Sequence, residues 1–198
     1  MTVKIGVILG TVRTNSLGMK IFQYLENTFF DNEETEYTWI PLKDYSLPFY
    51  DHEEIPLGGH INELNNNEVK WLDTLKQQDG YIILSPEYDH SISGVLKNAL
   101  DFVGLEVDHK PVQIITYSYY SDGGVLAANA IVPILQMLKM IVLPTPVLLW
   151  DADTNFTQGG LDMLVKNSIH FEKRLHEAFS DIEFYSKVLK QNPFLNKK

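Results

Sequence analysis

Cysteine is absent from the chain, which excludes a disulfide, an iron–sulfur cluster, a thiolate zinc site and a cysteine nucleophile. Positive charge is scarce. Sixteen Lys and Arg stand against 26 Asp and Glu, a formal net charge of −10, so phosphate backbones and anionic membranes are poor partners and neither a nucleic-acid nor a membrane role is expected. Arginine is rarer still, with Arg13 and Arg174 the only two. No long apolar run is uninterrupted. The stretch from Ile131 to Trp150 contains Pro133, Gln136, Lys139, Pro144 and Pro146. It reads as a buried helix ending near Lys139 and a strand from Ile141 to Leu149, not as a membrane span. Val3–Leu9 is too short for a secretory h-region and is followed by no small-residue cleavage pattern. These absences make a reducing, cytoplasmic setting the expectation.

What is present suffices for a full core. The 198 residues are 44% hydrophobic, 12% aromatic and 21% charged, the profile of one globular domain, placed at 1–180 with a polar tail or helix extension at 181–198. Val3–Leu9 is short, apolar and β-branched, a central strand. A helix pattern follows from Leu17 to about Phe30, then a strand from Tyr37 to Leu42 and a long loop from Lys43 to Ile61. Val69, Leu72 and Leu75 mark a second helix. Tyr81–Leu84 is a third strand, Ile92–Phe102 a helix and Val112–Tyr117 a fourth strand. A helix follows Gly123-Gly124, Pro133 being expected to kink it, and then comes the Ile141–Leu149 strand. Leu161, Leu164, Val165, Ser168, Leu175 and Phe179 mark a last helix. Strands alternating with helices predict a parallel sheet covered on both faces. The wiring fits a Rossmann half or a flavodoxin-like order, and in either the ligand lies beyond the carboxyl ends of the strands.

Two of those ends carry chemistry. After the first strand, Gly10-Thr11-Val12-Arg13-Thr14-Asn15-Ser16 opens directly into a helix. Hydroxyls, an amide, free N–H groups at a helix start and one of the chain's two arginines are the parts of a phosphate cradle. The loop is neither G-x-G-x-x-G nor a Walker A motif, and an N-capped helix beside a solvated Arg is the plainer alternative. After the third strand the sequence runs Pro86-Glu87-Tyr88-Asp89-His90-Ser91-Ile92-Ser93-Gly94-Val95-Leu96-Lys97-Asn98-Ala99-Leu100-Asp101.

That segment resembles the Pro-Glu-Tyr-Asn-x-Ser-x-Pro-Gly-x-Leu-Lys-Asn-Ala-x-Asp signature of the NAD(P)H-dependent FMN reductases, a family that includes quinone, chromate and azo-dye reductases. The loop at 10–16 is similar to the family's Gly-Ser-x-Arg-x-x-Ser phosphate motif, and Ser118 with Gly123-Gly124 to its third flavin loop. Leu47-Pro48-Phe49-Tyr50-Asp51 resembles its loop after the second strand. There are departures: Asp89 stands in place of the usual Asn, Ser93 in place of Pro, and Leu126 where an Arg often follows the glycine pair.

The resemblance implies a flavodoxin-like three-layer α/β sandwich, its five-stranded parallel sheet in order 2-1-3-4-5. It implies bound FMN, NADPH or NADH as co-substrate, a small-molecule electron acceptor, and a homodimer or tetramer. It places Thr11, Arg13, Asn15 and Ser16, with Leu17, at the FMN phosphate. It places Pro86, Glu87, Tyr88 and Asp89 along the ring, and Ser118, Tyr119 and Gly123 at the pyrimidine end. No side chain is required as acid or base, because the cofactor carries the chemistry. The rival reading is a flavodoxin-like electron carrier or regulatory module without turnover. The six histidines show no metal spacing and read as surface or loop residues. Glu87 reads as a loop carboxylate or a proton donor, Tyr119 and Tyr120 as a flavin roof or as loop filling, and Phe49 and Tyr50 as cover for a neighbouring subunit's site. Lys97 and Asp101, four apart on one helix, are expected to pair.

Overall fold

Every second residue of the inner strands faces the opposite layer, and both sets are apolar. Ile82 and Leu84 enter one core, while Tyr81 and Ile83 enter the other. This is why the strands read as continuous hydrophobic runs and why helices must cover both faces. The computed structural model describes residues 1–158 and 160–194. Strands β1 (Val3–Leu9), β2 (Thr35–Pro41), β3 (Gly80–Pro86) and β4 (Pro111–Tyr117), with β5 (Ile141–Val142) and β6 (Val147–Leu149), build a parallel sheet. Its order is β2-β1-β3-β4-β5, with β6 also on β4, the expected flavodoxin-like arrangement.

The layers follow from the apolar stripes. Helices α1 (Leu17–Glu26) and α6 (Ser168–Gln191) cover one face, where Ile21, Leu25, Phe171, Leu175 and Phe179 pack on Val3, Ile5, Val7 and Leu9. Helices α2 (Asn66–Lys76), α3 (Gly94–Asp101) and α4 (Val125–Met137) cover the other, where Trp71, Leu96, Ala99, Ile131 and Leu135 meet Ile8, Ile83 and Ile114. The buried Trp71 indole N–H donates to the Ala99 carbonyl at 2.9 Å and joins α2 to α3. The Lys97–Asp101 pair forms on the surface of α3.

Four boundaries differ from the sequence expectation. The Ile141–Leu149 strand is broken into β5 and β6 because Pro144-Thr145-Pro146 cannot continue a ladder on both sides and Thr145 turns to a φ of 59°. Helix α1 stops at Glu26, where Asn27 closes it by returning its N–H to Gln23. Helix α3 starts two residues later than Ile92 because Ser93 caps it, accepting from the Leu96 N–H at 3.2 Å. Residues from Leu161 onward do not begin the last helix. Leu161 ends the short hairpin of β7 (Phe156–Thr157) and β8 (Gly160–Leu161), which follows α5 (Ala152–Asn155), residues 162–167 form turns, and α6 begins at Ser168. Helix α6 then runs through Gln191; residues 195–198 of the expected tail lie outside the described residues. Helix α4 continues past Pro133 to Met137.

Candidate functional site

The carboxyl ends of β1, β3 and β4 are held in register, Leu9 opposite Leu84 and Leu84 opposite Ile115. Each loop leaving them is tied to its neighbour before it becomes irregular. Gly10 donates its N–H to the Leu84 carbonyl at 2.8 Å, Glu87 to Tyr117 at 3.2 Å and Ser118 to Leu149 at 3.1 Å. The three loops therefore rise from one edge of a rigid sheet, the place where parallel α/β folds bind ligands.

The first loop ends in the N-cap of α1. Ser16 is extended at φ −116° and ψ 158°, and its Oγ accepts from the Met19 N–H at 3.1 Å. Among the described residues its hydroxyl donates to no acceptor. The N–H groups of Leu17 and Gly18, in the first turn, have no acceptor within the helix. Thr11 is buried, and its hydroxyl lies 3.4 Å from that of Tyr88. A hydrogen bond to the Tyr88 hydroxyl holds the Arg13 guanidinium above its ordinary pKa, and among the described residues no carboxylate pairs with Arg13. A cation left without an acid at a helix N-terminus is set for an anion from outside the chain.

The second loop is a two-residue turn. Tyr88 and Ser91 exchange both backbone hydrogen bonds at 2.9 Å, with Asp89 at φ 49° and His90 at φ 62°, the positive-φ pair of a type I′ hairpin. Asp89 thus serves the backbone here, and Asn, the family's usual residue, suits the same conformation. Glu87 has the structural role of a loop carboxylate. Its Oε2 accepts from the N–H groups of Leu126 and Ala127 at 3.0 and 3.1 Å. The carboxylate caps α4, whose own N-cap, Gly124, has no side chain to do so.

The third loop is built around Asp122. Its Oδ1 accepts from the Ser118 hydroxyl at 2.6 Å and from the Gly124 N–H at 3.1 Å, and these donors hold the carboxyl below its usual pKa range. Gly123 is turned away from the opening. A Cβ there would fall 2.9 Å from the Leu148 Cβ at a φ of 64°, so this glycine permits close packing on β6.

Two adjoining cavities lie between the loops, sharing Arg13 and Tyr88. The smaller, about 280 Å³, takes Arg13, Ser16 and Leu17 from the first loop, Pro86 to Asp89 from the second, and Ser118 and Tyr119 from the third. Nine of the twelve residues singled out in the sequence meet there. Thr11 lines the larger cavity, about 760 Å³. Asn15 is exposed and Gly123 buried, and neither lines either cavity. Sequence reasoning missed Gly18, His90, Tyr117 and Asp122 in the smaller cavity, while Tyr120, weighed as a flavin roof or loop filling, does line it. It also missed the partnership of the loop 42–49 with α3 in the larger one, where the Asn98 amide donates to the Pro48 carbonyl at 2.6 Å. The Phe49 side chain stands 87% exposed on that rim.

The family model described as NADPH-dependent FMN reductase matches residues 3–155. An NAD(P)H-dependent FMN reductase of Schizosaccharomyces pombe is 28% identical over 193 residues, covering 98% of this chain and 94% of that one. An NADPH azoreductase of a Bacillus species is 27% identical over 190 residues, 95% of each chain. Among solved structures, the flavoenzyme NAD(P)H:(acceptor) oxidoreductase of Paracoccus denitrificans superposes with a TM-score of 0.69 at 22% identity, over 93% of this chain and 99% of that one, a likeness of fold. With a matching model over most of its length and the three loops assembled at one sheet edge, the chain belongs to the NADPH-dependent FMN reductase family.

Proposed function

We propose that this oxidoreductase holds FMN in the smaller cavity and passes electrons from NADPH or NADH to a small acceptor such as a quinone, an azo compound, a free flavin or a metal oxyanion. The observation that carries the reading is the convergence of an acid-free Arg13, the open N-terminus of α1 and the two loops 86–89 and 118–122 on one cleft. The donor set fits the cofactor: a phosphate needs donors and positive charge, and this end of the cleft offers the Ser16 hydroxyl, the first-turn N–H groups and Arg13. When bound, FMN supplies two-electron chemistry between the nicotinamide and the acceptor.

The chain's own residues bind, orient and shield. Thr11, Arg13 and Ser16 hold the phosphate, with exposed Asn15 next to Ser16 in the same loop and buried Leu17 opening α1. The 86–89 turn offers its backbone along the ring, fixed in place by the Glu87 bond to α4. Ser118 and Tyr119 close the opposite wall, and Gly123 sets how near that loop sits to β6. No side chain need transfer a proton. The larger cavity, apolar at Leu47, Pro48 and Val95 and open to solvent, gives a planar acceptor room beside Tyr88. A homodimer is part of the proposal. Val95 of α3 and Leu126 and Met137 of α4 are exposed at 38%, 40% and 66%, on the helices that would meet a second copy.

The test is steady-state oxidation of NADPH and NADH by the purified protein, with benzoquinone as acceptor and the bound flavin identified after denaturation. Turnover many-fold above the flavin content supports the enzyme. A single stoichiometric burst indicates a carrier, and a colourless protein that gains no activity with FMN overturns the reading.

A further inference from the structure

We propose that Tyr117 donates a hydrogen bond to a phosphoryl oxygen of the bound flavin nucleotide, adding a β4 residue to the phosphate cradle formed by the first loop. The inference rests on the flavin reading given above. Tyr117 ends β4, two strands from β1, and is 5% exposed. Its ring fills the core between the sheet and α1, yet it also lines the smaller cavity. Its hydroxyl has no hydrogen-bond partner among the described residues. The hydroxyl opens on the cleft, and a ligand that drives water from the cleft must replace it as partner or leave the phenol unsatisfied.

The hydroxyl lies directly beneath the first turn of α1. A Cβ added at Gly18 would fall 2.0 Å from Tyr117 Oη, so any other residue at 18 would displace it. The glycine therefore has a specific use: it lets a side chain from β4 reach the helix N-terminus. The groups around the hydroxyl there are donors. Leu17 and Gly18 present N–H groups, Ser16 a hydroxyl hydrogen and Arg13 a guanidinium. Three acids share the cavity: Asp122 is turned to Ser118 and Gly124, Glu87 to the N–H groups that start α4, and Asp89 is exposed on its turn. What is missing is an acceptor, and an anionic one suits the helix dipole and Arg13 as well. Burial pushes the Tyr117 phenol well above its ordinary pKa, against a smaller opposing pull from Arg13, so it stays a neutral donor throughout the range in which a phosphate is ionised.

Titration of flavin-stripped protein with FMN and with riboflavin, followed by flavin fluorescence, tests this. Tyr117→Phe keeps the ring and removes only the donor. The expected result is FMN binding weakened about tenfold or more, as for loss of a hydrogen bond to a charged group, with riboflavin binding within about twofold of wild type. Gly18→Ala, which pushes the hydroxyl aside, is expected to show the same FMN-selective loss, with an unchanged circular dichroism spectrum to establish that it folds. Equal FMN affinity in wild type and Tyr117→Phe overturns the proposal and leaves the flavin reading standing. Equal losses for both flavins also overturn it, placing the hydroxyl away from the phosphate. Failure of the wild type to bind FMN removes both.

Discussion

Glu87 and Leu126 lie 39 residues apart and are joined where the Glu87 carboxylate accepts the Leu126 N–H at 3.0 Å. The same oxygen takes the Ala127 N–H, so one side chain from the β3 loop closes the start of α4 and fixes the two loops flanking the cleft to each other. Glu87→Ala is expected to lower stability by about 0.5–2 kcal/mol, the range for loss of a helix cap. Glu87→Gln, which keeps an acceptor oxygen, should lose less than half of that and retain quinone reduction. Urea denaturation and steady-state rates check both. A Gln variant that folds like wild type but has lost turnover would restore Glu87 as a proton donor.

Arg13→Ala should weaken FMN binding about tenfold or more while leaving riboflavin binding nearly unchanged, because the guanidinium is a charged donor that only the phosphorylated flavin can use. Arg13→Lys should recover part of the loss, since an ammonium keeps the charge but not the fork. Isothermal titration with both flavins reads the result. Equal losses for FMN and riboflavin would place Arg13 away from the phosphate.

The Asp89-His90 turn holds two side-chain residues at positive φ, a conformation that costs a non-glycine residue about 1–2 kcal/mol. The double variant Asp89→Asn, His90→Gly matches the preferred Asn-Gly pair of such turns. It is expected to raise the melting temperature by about 2–4 °C, the shift of a ~1 kcal/mol gain in a chain of this size. No change on thermal denaturation, or a fall, would show that His90 contributes through its own contact with Glu87 at 3.4 Å more than its backbone costs.

Lys110 supplies a pH dependence remote from the cleft. Its amine donates to the Lys76 carbonyl at 3.0 Å at the end of α2, and burial lowers its pKa to about 8 from 10.5. Between those values the unfolded chain holds more protons than the folded one, so this group's penalty is relieved and stability rises with pH. From pH 7.5 to 9.5 the wild type should gain about 1–2 kcal/mol relative to Lys110→Met, read by denaturant melts at the two pH values. A difference that shrinks as pH rises would contradict this.

Light scattering at micromolar concentration should give at least twice the 22.7 kDa of one chain. Asp substituted for Met137, which is 66% exposed on α4, should shift the mass toward one chain with the circular dichroism spectrum unchanged. A monomeric wild type would exclude the homodimer.

The parallel α/β class and the loops of the cleft were legible in local patterns, apolar runs of strand length and loops of Gly, Ser, Thr and Asn, whereas the sheet order followed only from the resemblance carried by one motif of contiguous residues. Arg13 stood out by rarity alone. What could not be read depends on reach across the fold. Tyr117 looks like one more core residue until its hydroxyl is seen beneath Gly18, and Glu87 like one more loop acid until its oxygen meets α4. The β5–β6 break was carried by two visible prolines, but the continuous apolar run around them outweighed it. The β7–β8 hairpin, two residues a side, is too short to leave a periodic trace.

Helix α6 covers the face of β1 that holds Val3, Ile5 and Val7, and its Lys190 amine donates to the Thr2 carbonyl at 2.9 Å across 188 positions. During translation all six strands of the main sheet are synthesised before residue 168 is added. Until α6 follows, that apolar face has only α1 over it, and the nascent sheet carries a surface suited to chaperone capture or to sticking to its neighbours. Any delay before α6 has emerged would prolong this exposure.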